Sequence, residues 1–202
     1  MTIIIILITV IVSVLAFYKR ELFHKLEFTP YLIKHNNEWY RFFTYGLLHA
    51  NWGHLLINMF VLWSFGETVE YFMKYYFQEK AILFFLMLYI GGILFSVLFD
   101  FGKHKDNGYY HAVGASGAVA SIVFASIFYH PMGKIYFYFI PIGIPSFVFG
   151  LLYLVYSVYM ARRGGDNIGH NAHFWGAIFG FVFVLLLKPV LFKDFISQIF
   201  GG

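Results

Sequence analysis

Long apolar blocks separated by short polar connections constrain this chain more than any other feature. The first block, residues 2–18, is long enough for one bilayer-spanning helix and is closed by Lys19 and Arg20. In lipid, a single segment can satisfy its own backbone hydrogen bonds only as a helix. Charged residues make up 12% of the chain, whereas soluble domains carry about 25%. The blocks therefore predict an all-α, polytopic membrane protein.

Six such blocks predict six transmembrane helices in a single domain that covers residues 1–202. A cleaved signal peptide is the weaker interpretation of the first block, because no basic residue precedes it and no small-x-small cleavage site follows it. Residues 21–50 mix apolar and charged side chains, which is typical of a segment in the membrane interface. The predicted helices cover about residues 2–18, 52–72, 81–99, 113–129, 146–160 and 172–187.

The rest of the composition excludes several classes of function. The net charge is +4, but the basic residues are scattered over the connections, so they indicate interfacial anchors and not a nucleic-acid surface. Aromatic residues make up 23% of the chain, which suits contact with the lipid bilayer. The absence of cysteine excludes disulfides and thiolate chemistry.

Residues 114–118 place the hydroxyl of Ser116 among residues with almost no side chain, at the start of an apolar run that ends at Tyr129. This run makes about 21 Å of helix, less than the hydrocarbon core of about 30 Å. His173 begins a second run of similar length, which ends at Leu187. If both helices enter from the same face, Ser116 and His173 lie at similar depth beneath it.

Chain order brings two further polar side chains to this face. Predicted helices 2, 4 and 6 all start opposite the N-terminus, and His54 and Asn58 share one face at the start of helix 2 because they are four residues apart. An unpaired polar group is costly in hydrocarbon. These groups are therefore expected to surround a water-filled pocket together with Ser116 and His173.

The positions of the acidic residues favour a Ser–His pair without a third member, because no carboxylate is placed to orient His173. In this pair, His173 removes the proton of Ser116 as the hydroxyl attacks a carbonyl. The ring of His54, the amide of Asn58 and the backbone N–H of Ser116 are the expected donors to the oxyanion. The acids fall in loops, at a helix end or in the tail (Asp100, Asp106, Asp166 and Asp194) or at the opposite end of helix 2 (Glu67 and Glu70).

Structural interpretations compete with these functional ones. Small residues in a spanning helix usually allow close packing, which we accept for Gly176 and Gly180, and the polar groups could hydrogen-bond neighbouring helices. We interpret Glu38, Arg41 and Glu70 as charges that hold the first connection and the end of helix 2 in place. The convergence of ionisable groups on one face, at one depth, favours a functional site.

With these residues in view, the chain resembles the rhomboid family of intramembrane serine proteases, in its six-helix bacterial form. The Trp-Arg element of that family's first loop is similar to Tyr40–Arg41, with tyrosine in place of the tryptophan. Together the motifs are highly specific and cover nearly the whole chain. The patterns His-x-x-x-x-His-x-x-x-Asn, Gly-x-Ser-Gly and Ala-His-x-x-Gly-x-x-x-Gly match His49, His54 and Asn58, then Gly114, Ser116 and Gly117, then Ala172, His173, Gly176 and Gly180.

The resemblance implies a Ser116–His173 dyad with His54 and Asn58 in the oxyanion site. It implies that the substrates are single-pass membrane proteins, cut near one end of their transmembrane helix. It also implies that helix 5 and the loop before helix 6 take part in gating. We expect no cofactor and no metal, and a location in a bacterial cytoplasmic membrane.

Two positions complicate the match. Many relatives carry an aromatic residue one turn after the serine, stacked on the catalytic histidine, and here that position is Ala120. Trp175 or a tyrosine of another helix are the candidates to supply this surface. His170 is a second candidate base, ranked lower because the glycine spacing starts from His173 and because His170 is predicted to lie in the loop.

The distribution of Lys and Arg conflicts with the family's orientation, in which the N-terminus is cytoplasmic. Five basic residues fall on the N-terminal side and nine on the other, so the positive-inside rule places the N-terminus outside. Five of the nine lie in the first connection, and without them the count is five against four. We retain the family's orientation. The two sets are Lys74, Lys80, Lys134, Lys188 and Lys193, and Lys19, Arg20, Lys25, Lys34, Arg41, Lys103, Lys105, Arg162 and Arg163.

Two other classes of function compete with a protease. One is a catalytically inactive rhomboid-like protein that binds membrane clients, for which Ala120 leaves room, although the intact serine and histidine argue against it. The other is a haem or metal protein that uses His49, His54, His170 and His173, but no pair of these has a convincing ligand spacing within one helix.

Overall fold

The computed structural model describes residues 1–137, 140–165 and 168–201. The described chain is mostly helical, and an antiparallel hairpin of strands β1 (Lys134–Phe137) and β2 (Ile140–Pro145) is a small addition that the apolar pattern did not predict. The helices are α1 (Thr2–Tyr18), α2 (Arg20–Leu26), α3 (Pro30–Asn36), α4 (Arg41–Thr44), α5 (Trp52–Phe77), α6 (Ala81–His104), α7 (Ser116–Tyr129), α8 (Ser146–Arg163), α9 (His170–Leu187) and α10 (Leu191–Phe200).

The six predicted helices correspond to α1, α5, α6, α7, α8 and α9, but in each of the last five helices one predicted boundary is wrong. α5 continues to Phe77 rather than 72, α6 to His104 rather than 99, and α8 to Arg163 rather than 160. Basic side chains in these last turns interact favourably with the helix dipole, so polarity there does not end the helix. α7 begins at Ser116 rather than 113, and α9 begins at His170 rather than 172.

These boundaries place two polar residues inside helices. Asp100, expected at a helix end next to a polar loop, lies one turn inside α6 and is buried. His170, also expected in a loop, is the first residue of α9 and is buried. The predicted loop residue Asp166 lies outside the described residues.

Two stretches of the described residues are both long and apolar enough to cross a membrane. They are the helical stretch Trp52–His104, which contains α5 and α6, and His170–Leu187, which is α9. Thr2–Tyr18 and Ser116–Tyr129 are apolar but shorter. The described fold is therefore mostly helical with two candidate membrane spans, and the count of six spans stays a prediction.

Helix α7 forms the centre of the bundle. Every residue of α7 after Ser116 is buried, and the helix packs against α5, α6, α8 and α9. Small residues make this dense packing possible, because backbones can approach closely where side chains are short. The central position of α7 places Ser116 inside the bundle, at one end of this helix.

Helix α1 packs antiparallel to α5. The amino group of Met1 lies 2.9 Å from Glu70 Oε1, near the end of α5, and the backbone N–H of Thr2 also donates to that carboxylate. At the other end of α1, Ser13 Oγ donates to the carbonyl of Leu47, in the connection that leads into α5. Glu70 therefore holds the start of α1 to the end of α5, as a structural charge would.

Candidate active site

The loop before α7 turns at Gly114 and delivers Ser116 as the first residue of the helix. Gly114 has φ +127°, a left-handed conformation that L-residues rarely adopt and that cannot continue a helix. Its backbone N–H donates to the carbonyl of Tyr45 at 3.1 Å. Ser116 is half-buried, and its backbone N–H is among the first four of α7, which have no partner within the helix.

The ring of His54 lies directly against Gly114. A Cβ atom built on Gly114 would lie 2.7 Å from His54 Cε1 and 3.0 Å from His54 Nε2, so a residue with a side chain would displace the His54 ring. The first glycine of the Gly-x-Ser-Gly motif therefore has two physical roles, which are its positive φ and this close approach. Together they place the His54 ring against Gly114, which precedes Ser116 by two residues.

Backbone contacts indicate which nitrogen of His54 carries the proton. Asn51 caps α5 by accepting from the His54 backbone N–H at 2.9 Å, and the backbone N–H of Ala50 approaches His54 Nδ1 at 3.4 Å. In a neutral imidazole the nitrogen that accepts a hydrogen bond carries no hydrogen, so the proton is on Nε2. The Nε2–H group is then a donor that faces Gly114 and the start of α7.

Asn58 lies one turn after His54 on the same face of α5 and is buried. Its amide Nδ2 donates to the backbone carbonyl of His54 at 2.8 Å. A primary amide carries two N–H donors, so this bond leaves the amide with a second one. The structure places His54 and Asn58 together, as their spacing predicts.

His49, the first histidine of the motif, supports His54 from beneath. Ser13 of α1 donates to the Leu47 carbonyl at 2.7 Å and lies 3.0 Å from His49 Nδ1, so Ser13 Oγ accepts from the His49 Nδ1–H. The His49 ring meets the His54 ring edge to face at a centroid distance of 4.9 Å. Sequence reasoning missed Ser13, although a hydroxyl inside an apolar block is a usable signal.

Helices α7 and α9 touch at the neighbours of the two candidate catalytic residues. A Cβ atom on Gly117 would lie 3.2 Å from the carbonyl oxygen of Ala172, the residue before His173. Further along, Cβ atoms on Gly176 and Gly180 would overlap the carbonyls of Gly117 and Ser121. Small residues at these positions thus let the backbones of α7 and α9 meet without intervening side chains. This contact brings the first turns of α7 and α9 together.

The aromatic surface beside His173 comes from α8. The ring of Tyr153 lies 6.2 Å from the His173 ring with an interplanar angle of 28°. Ala120 is buried at the position where many relatives carry the stacking residue. Trp175, the other candidate, is 39% exposed and stacks on Phe99 instead. The sequence admitted a tyrosine of another helix but could not identify it.

A second group of polar residues lies where α6 ends and α9 begins. The carboxylate of Asp100 accepts from Asn171 Nδ2 at 3.2 Å and from Tyr110 Oη at 3.1 Å. The His170 ring stands nearly perpendicular to the His173 ring at 6.0 Å. Asp100 therefore contacts the first turn of α9 through Asn171, and its hydrogen bonds with Asn171 and Tyr110 do not involve His173. In the part of the chain that the structure describes, no group of three acidic or histidine side chains converges to hold a metal ion.

The first connection is anchored by Arg41, which is buried. Its Nε donates to Glu38 Oε2 at 2.6 Å, and its NH1 donates to the carbonyls of His24 and Glu27 at 2.8 Å each. The hydrogen bond from Arg41 holds the pKa of the Glu38 carboxyl below its usual range. Tyr40, in the position of the family's tryptophan, donates from its hydroxyl to the same carboxylate at 3.0 Å.

These features define a class of protein: a helical membrane protein with a serine and a histidine at the starts of two touching helices. The sequence model of the Rhomboid domain matches residues 36–190, which is most of the chain. The chain therefore belongs to the rhomboid family, which confirms the resemblance of its motifs.

Named relatives are similar at modest identity. RHOMBOID-like protein 12, mitochondrial, of Arabidopsis thaliana is 28% identical over 145 residues, covering 64% of this chain and 40% of that protein. Presenilin-associated rhomboid-like protein, mitochondrial, of Homo sapiens is 26% identical over 152 residues, covering 72% of this chain and 37% of that protein. The Mus musculus protein of the same name is 24% identical over 151 residues, covering the same shares. The chain thus spans about two fifths of the length of these relatives.

Proposed function

We propose that this chain is an intramembrane serine endopeptidase that cleaves membrane-anchored proteins within or near a transmembrane helix through a Ser116–His173 dyad. The observation that carries the proposal is the contact between Gly117 and Ala172, because these residues are the immediate chain neighbours of the serine and the histidine. The reaction needs a hydrogen bond from the Ser116 hydroxyl to the His173 ring. Such pairs are often longer in unliganded enzymes and shorten when substrate binds.

The reaction starts when His173 takes the proton of Ser116 and the serine oxygen forms a bond to the scissile carbonyl carbon. The carbonyl oxygen becomes an oxyanion, which accepts from His54 Nε2–H, the Asn58 amide and the Ser116 backbone N–H. The C–N bond then breaks as His173 returns the proton to the leaving amine. Water hydrolyses the ester in the same way and restores the hydroxyl of Ser116.

The environment of the site supports this chemistry in a membrane. Ser116 and His173 are both half-buried rather than sealed, so water and an extended peptide segment can reach them. Exposed apolar side chains on the outer faces of α1 and α5, such as Leu7, Ile11, Leu56 and Phe60, suit contact with lipid. The proposed topology is a single domain of six transmembrane helices, and the proposed substrates are single-pass membrane proteins that enter beside α8.

The proposed location is a bacterial cytoplasmic membrane, on the resemblance to the six-helix form. The relatives compared above are named as mitochondrial, which does not support that particular membrane. Neither location changes the chemistry proposed for the site.

The test is cleavage of a panel of single-pass membrane proteins co-expressed with the parent protein or with Ser116→Ala. We expect the parent to produce membrane-proximal fragments and Ser116→Ala to reduce them to background, because no other group can form the ester. Ser126→Ala is the matched control, since it removes a buried hydroxyl at the other end of α7, and it should cleave like the parent. Undiminished cleavage by Ser116→Ala would overturn the proposal. A folded parent that binds clients without cleaving them would instead favour the inactive, client-binding alternative.

A further inference from the structure

Asp100 is a buried carboxylate for which the proposed reaction has no direct use. Its side chain joins three parts of the chain: α6, which carries it, the loop before α7 through Tyr110, and the first turn of α9 through Asn171. Tyr110 precedes Ser116 by six residues, and Asn171 precedes His173 by two. One side chain thus fixes both segments that deliver the proposed dyad.

The face of α6 that carries Asp100 packs against α7 over the two preceding turns. Gly92, Ser96 and Asp100 are four residues apart, so they lie on one face of α6. A Cβ atom on Gly92 would lie 3.0 Å from Ala118 Cα, and a Cβ atom on Gly117 would overlap the side chain of Ser96. Asp100 occupies the next turn, where close packing ends and hydrogen bonds hold the helices.

The surroundings of Asp100 are polar. It borders a cavity of about 280 Å³ that is also lined by Lys103, His104, Tyr110, His170 and Asn171. The ring of His104 stacks on Tyr110 at a centroid distance of 3.8 Å and an angle of 4°. This stacking fixes the Tyr110 hydroxyl as a donor to Asp100. A buried carboxylate with two such donors determines the positions of both more strongly than apolar packing alone.

We propose that Asp100 is a positioning residue that sets the first turn of α9 relative to the loop before α7, so that His173 meets Ser116. The inference rests on the proposed function, because the Ser116–His173 dyad is part of that proposal. The geometry that it describes can nevertheless be tested without a substrate. Asp100 acts through Asn171 and Tyr110 and touches neither reacting side chain. Its loss should therefore lower the rate of the chemical step and leave substrate binding largely unchanged.

The first experiment exchanges the acceptor and the donor. Asp100→Asn and Asn171→Asp, made separately, each replace the carboxylate–amide pair with two like groups, and the double variant restores one carboxylate and one amide. We expect each single variant to lower kcat about 10-fold or more, with KM within about twofold, since misplacement by about 1 Å can cost 10²-fold. The double variant should recover most of the loss. A double variant no better than the worse single variant, or single variants with parental kcat, would overturn the inference.

The second experiment reads the geometry of the pair directly. The chain has no cysteine, so Ser116→Cys introduces one thiol, whose alkylation by iodoacetamide reports its thiolate fraction. A neighbouring imidazolium lowers the pH at which a thiol ionises, so His173→Ala in this background should raise the alkylation midpoint. Asp100→Leu, which removes the acceptor, should move the midpoint in the same direction.

The two experiments separate failure of the inference from failure of the proposed function. If the parent cleaves nothing, the protease is refuted, and the alkylation midpoint still decides the role of Asp100. If Asp100→Leu keeps the midpoint of the Ser116→Cys parent, the inference is wrong whatever the cleavage assay shows. If Asp100→Leu does not fold, the double exchange replaces it in the alkylation assay and should restore the parental midpoint, whereas each single variant should not.

Discussion

The ring of Tyr153 supports His173 from a helix that carries neither of the proposed catalytic residues. Its phenol packs at 6.2 Å from the imidazole and also contacts Phe124 of α7 at 5.7 Å. The surface against which the histidine rests therefore depends on where α8 sits relative to α7 and α9. If α8 moves to admit a substrate, the histidine loses its neighbour at the same time.

Two replacements of Tyr153 should distinguish the contribution of its ring from that of its hydroxyl. Tyr153→Phe keeps the stacking surface and should cleave at near the parental rate, whereas Tyr153→Leu removes it. An aromatic contact contributes about 0.5–1.5 kcal/mol, so kcat of the leucine variant should fall by about two- to tenfold. The measurement is initial cleavage rate in detergent or liposomes. Equal rates for the leucine and phenylalanine variants would show that the contact has no role in the reaction.

A supporting double variant places an aromatic ring on α7 instead of α8. Ala120 lies one turn after Ser116, so Tyr153→Leu combined with Ala120→Tyr should regain part of the lost rate if an aromatic surface is what His173 needs. No regain, with a folded protein, would mean that Tyr153 serves the packing of α8 instead.

Single residues of the site were predictable where a motif fixes their spacing. His54 and Asn58 share a face because they are four residues apart, and the structure places them together. Tyr153 and Asp100 carry no such signal, because their partners are set by how α8 and α6 pack, which spacing within one segment does not specify. A buried acid is also indistinguishable from a loop acid in a sequence that becomes polar at the end of a helix.

At the scale of elements, the contact between α7 and α9 depends on glycine. Cβ atoms on Gly176 and Gly180 would overlap the carbonyls of Gly117 and Ser121, and these are backbone atoms that cannot rotate away. Alanine at either position must push the helices apart. Because the proposed dyad spans this contact, a separation that the fold tolerates would still be felt at the site.

Gly180→Ala should therefore destabilise the protein by about 1–3 kcal/mol, the usual cost of overpacking. Gly102→Ala is the matched control, since it is also helical but has no atoms near its Cβ position. That variant should be neutral or more stable by up to about 1 kcal/mol, because alanine favours helix. Free energies of unfolding in mixed micelles provide the measurement. A Gly180→Ala protein as stable as Gly102→Ala would contradict the close contact.

The apolar blocks predicted where the long helices lie, but they did not predict where several of these helices begin or end. Lys103 and His104 extend α6 because cations suit the last turn of a helix, and Gly114 delays α7 because of its positive φ. The connection of residues 21–50 contains α2, α3 and α4, which are too short to show a clear period. The hairpin of β1 and β2 is equally short, and its pairing depends on two segments meeting rather than on either pattern alone.

At the scale of the whole molecule, the direction of α1 relative to α5 fixes which helix termini lie at the same end of the bundle. The start of α1 lies with the end of α5 through Glu70, so the turn between α5 and α6 is on the side of the N-terminus. The loop before α7 is on the opposite side, with the proposed active site. The orientation of the bundle in the membrane is a separate question. The counts of Lys and Arg place the N-terminus outside, whereas the resemblance to the family places it in the cytoplasm.

Labelling of single cysteines can decide the orientation, since the chain has none of its own. Glu79, between α5 and α6, and Asn107, between α6 and α7, are both exposed and lie at opposite ends of α6. With the N-terminus in the cytoplasm, a membrane-impermeant maleimide added to intact bacterial cells should label Asn107→Cys and spare Glu79→Cys. Labelling of both after lysis confirms that each thiol is accessible. The reverse pattern in intact cells would mean that the basic residues of the first connection act as a cytoplasmic loop, and the proposed site would then open toward the cytoplasm.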